Sequence, residues 1–140
     1  MKDDKKIKDI YACKYIEGDG ELYPLQEWHN KLIDKKISEL KILDIIRMIR
    51  QNEFIDIAIL KGVEYLRENP FIGDMYEGEL LEKLSEVETK YLIDYIDEIN
   101  NILSNALIKN QDYEWIDDNE RKEFEELIKK FSDRIRDFQI

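Results

Sequence analysis

Apolar residues recur along this chain at helical spacing, and no stretch of four or more alternates convincingly with period two. Ile42, Ile45, Ile46 and Ile49 fall at i, i+3, i+4 and i+7, one face of a helix between Leu40 and Gln51. Ile55, Ala58, Ile59, Gly62, Val63 and Leu66 repeat the pattern, and Phe54, Ile57, Leu60 and Tyr65 make much of the remaining circumference apolar. Such a helix is expected at the centre of its domain. Gly62 in its middle costs about 1 kcal/mol relative to alanine and is expected to mark a close helix crossing. Asn69-Pro70 stops this helix. Upstream, Ile7, Ile10, Tyr11 and Tyr15 predict a frayed helix within residues 1–16, and Gly18-Asp19-Gly20 breaks the chain. Pro24 then opens a helix burying Leu25, Trp28, Leu32 and Ile33, because its missing N–H would lack an intrahelical partner in a first turn.

Beyond Pro70 the loop Phe71-Ile72-Gly73-Asp74 leads to an Asp74/Glu77 capping box and a helix through Leu80, Leu81, Leu84 and Val87. Tyr91, Leu92, Tyr95, Ile96, Ile99, Ile102, Leu103 and Ala106 keep helical spacing. They make one long helix with the preceding residues, or a second one joined near Glu88-Thr89. Residues 109–116 are polar with two aromatics and read as a connection. Asp117 and Glu120 offer a second capping box for a last helix striped by Phe124, Leu127, Ile128, Phe131, Ile135 and Phe138. The expected fold is all-α, a single helical domain of about six helices with short loops, spanning residues 1–140 with 1–18 loosely packed.

Composition supports this picture and adds one feature. Five glycines and two prolines are too few for a many-turned β-sandwich. The charged share, 39%, exceeds the usual ~25%. The net charge of −11 lies entirely in residues 71–120, where 14 acidic residues meet only Lys83, Lys90 and Lys109. A surface of that sign repels a phosphate backbone and steers in a basic protein surface. Direct nucleic-acid binding is therefore not expected. Cys13, the only cysteine, has no internal disulfide partner. The charged start, Met1 to Lys6, leads into no apolar signal region, and no apolar run approaches the ~20 residues that span a bilayer. The expected setting is the cytoplasm, away from membranes.

Catalytic equipment is sparse. His29 is the sole histidine and reads as a surface or half-buried imidazole beside Trp28. There is no Cys-x-x-Cys, His-Glu-x-x-His or Glu-x-x-His pairing, and no Gly-rich phosphate cradle. Asp117-Asp118-Asn119-Glu120 and Gly18-Asp19-Gly20-Glu21 lack the spacing of a calcium loop. With 33 acidic residues, some carboxylates must lie close together, so proximity alone does not indicate acid/base chemistry. No metal, cofactor or small-molecule ligand is expected, and weight shifts from enzyme to binding protein.

Two blocks carry a resemblance. Within the segment from Leu25 to Leu84, the run from Lys36 to Asn52 is similar to members that read Pro-Leu-x-x-Leu, then Thr-x-Glu-Asp-Leu-Arg, then Ile-x-Gln-Asn. Ala58, Leu66, Glu68-Asn69-Pro70 and the run from Gly73 to Leu81 follow Leu-x-x-Asn-Pro and Gly-Asp-x-Tyr-x-Gly-Asp-Leu-Leu. In this order, the blocks resemble one family of immunity proteins from contact-dependent growth inhibition (CDI) systems. The chain departs from it at Lys41, where a helix-starting Thr is usual and Ser38 becomes the cap candidate, and at Glu79, where Asp is common. The resemblance implies a protein that binds and neutralises the C-terminal toxin domain of a secreted effector inside the cell that makes it. Such toxins are often nucleases, with RNases of the EndoU or RNase A-like type among them.

A nuclease presents a positive cleft to phosphates, so an acidic inhibitor with aromatic anchors suits it. The candidate contact residues are Asp112, Tyr113, Glu114, Trp115, Asp117 and Asp118, with Asp94, Asp97 and Glu98 on the preceding helix. Asp74, Tyr76 and Glu77 in the glycine-flanked loop join them. The alternatives are that Tyr113 and Trp115 seal the core and that the acids only solubilise. Two other functions compete: an acidic helical adaptor or DNA-mimic-like regulator of another basic protein, and an enzyme built on a carboxylate cluster.

Overall fold

A computed structural model describes residues 5–18 and 20–139. The expected helix start at residues 1–4 and the central Asp19 of the Gly18–Gly20 break lie outside the described residues. Seven α-helices are found among those described: α1 (Ile7–Tyr11), α2 (Pro24–Ile33), α3 (Ile42–Gln51), α4 (Ile55–Glu68), α5 (Glu79–Ser85), α6 (Ile96–Asn110) and α7 (Asp118–Gln139). Two 3₁₀ segments, Ile37–Glu39 and Thr89–Tyr95, complete the order, and the class is all-α.

As its all-round apolar pattern requires, α4 sits centrally, packed on α3, α5, α6 and the second 3₁₀ segment. Ile57, Ala58, Ile59, Val63 and Leu66 are buried, and the Tyr65 hydroxyl donates to the Leu40 carbonyl at 2.8 Å. At Gly62 a Cβ would stand 3.7 Å from Ile45 Cγ2, an ordinary contact, so the α3–α4 crossing leaves room for a methyl group. The α4 helix ends at Glu68, before Asn69-Pro70. From the segment expected to pack loosely, Ile7 is fully buried and its N–H donates to Lys35 O at 3.0 Å. Tyr15 lies beyond the end of α1.

Several helix starts differ in detail from the sequence reading. Ser38 does not cap α3; it is exposed within the first 3₁₀ segment. The buried Asp44 serves that end instead, accepting the Lys41 N–H at 3.0 Å and the Lys35 ammonium at 2.8 Å. The Asp74/Glu77 box is not formed, because α5 starts later, at Glu79, after Gly78. The Asp117 cap is formed, with Oδ1 accepting the Glu120 N–H at 2.9 Å. Leu25 is exposed rather than buried, since the first turn of α2 projects past the core that Leu32 and Ile33 enter. The helical run after residue 79 divides at 86–88, close to Glu88-Thr89. The Arg134 guanidinium holds that division, donating to the carbonyls of Ser85 and Val87, where a cation satisfies terminal helix carbonyls. In α7 the stripe Phe124, Ile128, Phe131 and Ile135 is buried, and Phe138 emerges into solvent one turn later.

Candidate functional site

The glycine-flanked loop after α4 is fixed from within. The buried Glu79 carboxylate reaches back to accept the N–H groups of Asp74 and Met75, both at 2.9 Å. Gly78 N–H donates to Phe71 O at 2.7 Å and Leu80 N–H to Ile72 O at 3.1 Å. Two glycines are required. A Cβ at Gly73 would lie 1.9 Å from the Tyr76 carbonyl oxygen, and Gly78 has φ +83° with Phe124 carbon atoms about 3 Å from where its Cβ would stand. This folding leaves Met75 79% exposed and Tyr76 and Glu77 at the surface.

The connection between α6 and α7 lies against this loop. Tyr113 stacks on Phe71 with ring centroids 3.8 Å apart and an interplanar angle of 16°, and its hydroxyl donates to Glu77 Oε1 at 2.6 Å. Trp115 meets Phe71 edge-on and tilts against Phe124. Its indole N–H donates to Asn110 Oδ1 at 2.7 Å, while Asn110 Nδ2 donates to Arg121 O and the Arg121 guanidinium donates to Tyr113 O. Tyr113 and Trp115 are thus half-buried and packed on the core, as the sealing alternative foresaw. Trp115 also lines an outer groove.

That groove has a volume of about 900 Å³ and runs between Met75–Gly78, Glu114–Ile116 and the first half of α7. Its glutamates are Glu77, Glu82, Glu114, Glu120, Glu123 and Glu126, against one cation, Lys130. Among the described residues none of the six forms a salt bridge, whereas Asp34, Asp44, Glu53, Glu64 and Glu98 do. Ile116, 90% exposed, stands on the rim with Met75. Burial, followed by the nearby Glu82 carboxylate, pushes the Tyr76 phenol up to about 12. Burial, followed by the hydrogen bond to Glu77, does the same to Tyr113.

The predicted contact residues do not form one belt. Asp74, Tyr76, Glu77, Asp112, Tyr113, Glu114, Trp115, Asp117 and Asp118 belong to the two adjoining segments just described. Asp94 and Asp97 are exposed where α6 begins, and Glu98 pairs there with Arg67. The connection bearing Asp112 leaves the other end of this 15-residue helix, a span of about 22 Å at ~1.5 Å per residue. Sequence reasoning missed Met75, Ile116, Glu82, Glu120, Glu123 and Glu126. The last three recur at i, i+3 and i+6 on α7, a spacing that could have placed them on one face.

Among the described residues no group of three or more His, Cys, Asp or Glu is arranged to hold a metal ion, and no helix is long and apolar enough to cross a membrane. His29 is half-buried, with Nδ1 2.8 Å from Glu53 Oε2. Fold and site together define an acidic all-α protein with an open, unneutralised groove on its surface. A family model for CDI immunity proteins matches residues 9–102, and the chain belongs to that family. Its function is immunity against a CDI toxin, with a cognate toxin protein as the partner that membership implies. No curated protein matches the chain.

Proposed function

We propose that this protein neutralises its toxin by binding the toxin domain directly in the cytoplasm of the producing cell, and that the toxin is a nuclease with a basic surface. The observation that carries this reading is the placement of charge. The whole net charge of −11 falls in residues 71–120, and Asp74, Glu77, Asp112, Glu114, Asp117 and Asp118 in that stretch are exposed. A toxin that binds phosphates needs the opposite sign. Attraction between the two raises association from ~10⁵–10⁶ towards ~10⁸–10⁹ M⁻¹s⁻¹, which matters when each free toxin molecule is lethal. The protein supplies the charge and leaves any catalysis to its partner.

Co-expression tests the reading. The C-terminal domain of a CDI effector encoded immediately upstream should be toxic alone, harmless with this protein, and recovered with it as a 1:1 complex. A toxin domain whose activity is not nucleolytic would remove the nuclease assignment. Absence of protection and of a complex would remove direct inhibition.

A further inference from the structure

We infer that the groove between the Met75–Gly78 loop, residues 114–116 and α7 is the seat of the complex, and that it receives a toxin segment carrying an arginine or lysine beside an aliphatic or aromatic residue. The inference rests on the immunity reading and adds the location and chemistry of the contact.

Three observations lead there. The first is uncompensated charge. Six glutamates line the groove without a salt bridge among the described residues. Glu77 accepts the Tyr113 hydroxyl and Glu120 the Ile116 N–H, but neither bond neutralises the carboxylate. A guanidinium or ammonium entering the groove therefore gains charge-assisted hydrogen bonds without breaking a salt bridge. The second is the apolar rim. Met75 and Ile116 are 79% and 90% exposed, so an apolar neighbour of the entering cation removes surface from water that folding left there. Methionine also adapts its shape to what it meets. The third is rigidity. Trp115 is tied to Asn110 and Tyr113 to Glu77, so the floor is formed before the partner arrives and little ordering cost attaches to binding. A cation with an apolar neighbour is the occupant that satisfies the acids and the rim together.

The start of α6 has a different role. Asp94 and Asp97 are exposed but do not line this groove. They act on the approach of the partner, through the field, and not on the lifetime of the complex.

Binding kinetics with the purified full chain and the upstream-encoded toxin domain separate these roles. Ile116→Asp and Met75→Asp add negative charge, so loss of attraction cannot explain their effect. Each should speed dissociation about tenfold or more while association stays at least as fast. Glu123→Gln with Glu126→Gln should also speed dissociation. Asp94→Asn with Asp97→Asn should slow association and leave dissociation unchanged. Thermal melts of each variant confirm that it folds; both apolar residues are exposed, so unaltered melting is expected. If the wild type binds and the groove variants dissociate at the wild-type rate, the seat lies elsewhere and the inference is overturned while the immunity reading stands. Faster dissociation from the Asp94/Asp97 variant alone overturns it too, by moving the seat to the start of α6. Failure of the wild type to bind overturns the inference together with direct inhibition.

Discussion

The Tyr113 hydroxyl donates to the Glu77 carboxylate at 2.6 Å, joining two surface segments 36 residues apart. The ring behind that hydroxyl stacks on buried Phe71, so one side chain both seals the core and pins the outer loop. Tyr113→Phe keeps the stack and removes the bond. It should cost about 0.5–1.5 kcal/mol, read from urea unfolding, and raise amide exchange at residues 74–78. Unchanged exchange there would show that Glu79 and the backbone bonds to Phe71 and Ile72 hold the loop without it.

Glu79 is the internal support of that loop, with two N–H donors on one carboxylate oxygen. Hydrogen bonds to a charged group contribute roughly 1.5–3 kcal/mol each. Glu79→Ala should therefore destabilise by about 3 kcal/mol, and Glu79→Gln, which keeps a carbonyl acceptor, by about 1 kcal/mol. Equal denaturation midpoints for the two variants would contradict this.

The glycines should respond in opposite directions. At Gly73 a methyl group meets the Tyr76 carbonyl oxygen, and the backbone must move. Gly73→Ala should cost about 3 kcal/mol. At Gly62, within α4, a methyl group finds ordinary contacts with Ile45 and Leu80. Gly62→Ala should stabilise by up to about 1 kcal/mol. Thermal melts of the pair give the comparison directly.

Alkaline pH should loosen the same region. The Tyr76 and Tyr113 phenols stand near 12 against an ordinary 10.0. A folded-state value above the unfolded one means that the native protein holds protons that the unfolded chain has released. Their contribution to stability is complete below pH 10.0 and is lost progressively as pH rises to about 12. Burial raises Tyr11 and Tyr95 as well, so ultraviolet titration should show four tyrosines ionising late and three in Tyr113→Phe. Ionisation of all tyrosines near the ordinary value would contradict the partial desolvation of Tyr76 and the hydrogen bond from Tyr113 to Glu77.

Helix periodicity carried most of the fold because burial follows a 3.6-residue period along α3, α4 and α7. Asn69-Pro70 and Asp117 marked boundaries through backbone chemistry that any sequence displays. The loop before α5 was misread because Asp74 and Glu77 have the spacing of a capping box, while the better acceptor position belonged to Glu79, five residues past Asp74. Only the folded path of the loop shows that reach. The candidate site was half legible. Tyr113 and Trp115 stood out by composition, but their inward packing depends on Phe71 and Phe124, distant in sequence. Ile116 and Met75 look like core residues, and their exposure emerges only when loop and connection come together. Charge counting grouped Asp94 and Asp97 with Asp112, although the length of α6 separates them.

Capture of a positively charged antagonist by a fixed negative surface is tested most directly by the association rate constant of this protein with its toxin domain across a salt series. Added salt shortens the reach of exposed charges, from ~10 Å at ~0.1 M to ~3 Å at ~1 M. The account predicts that association slows by at least about tenfold over that range while dissociation changes little. An association rate that is indifferent to salt would contradict it.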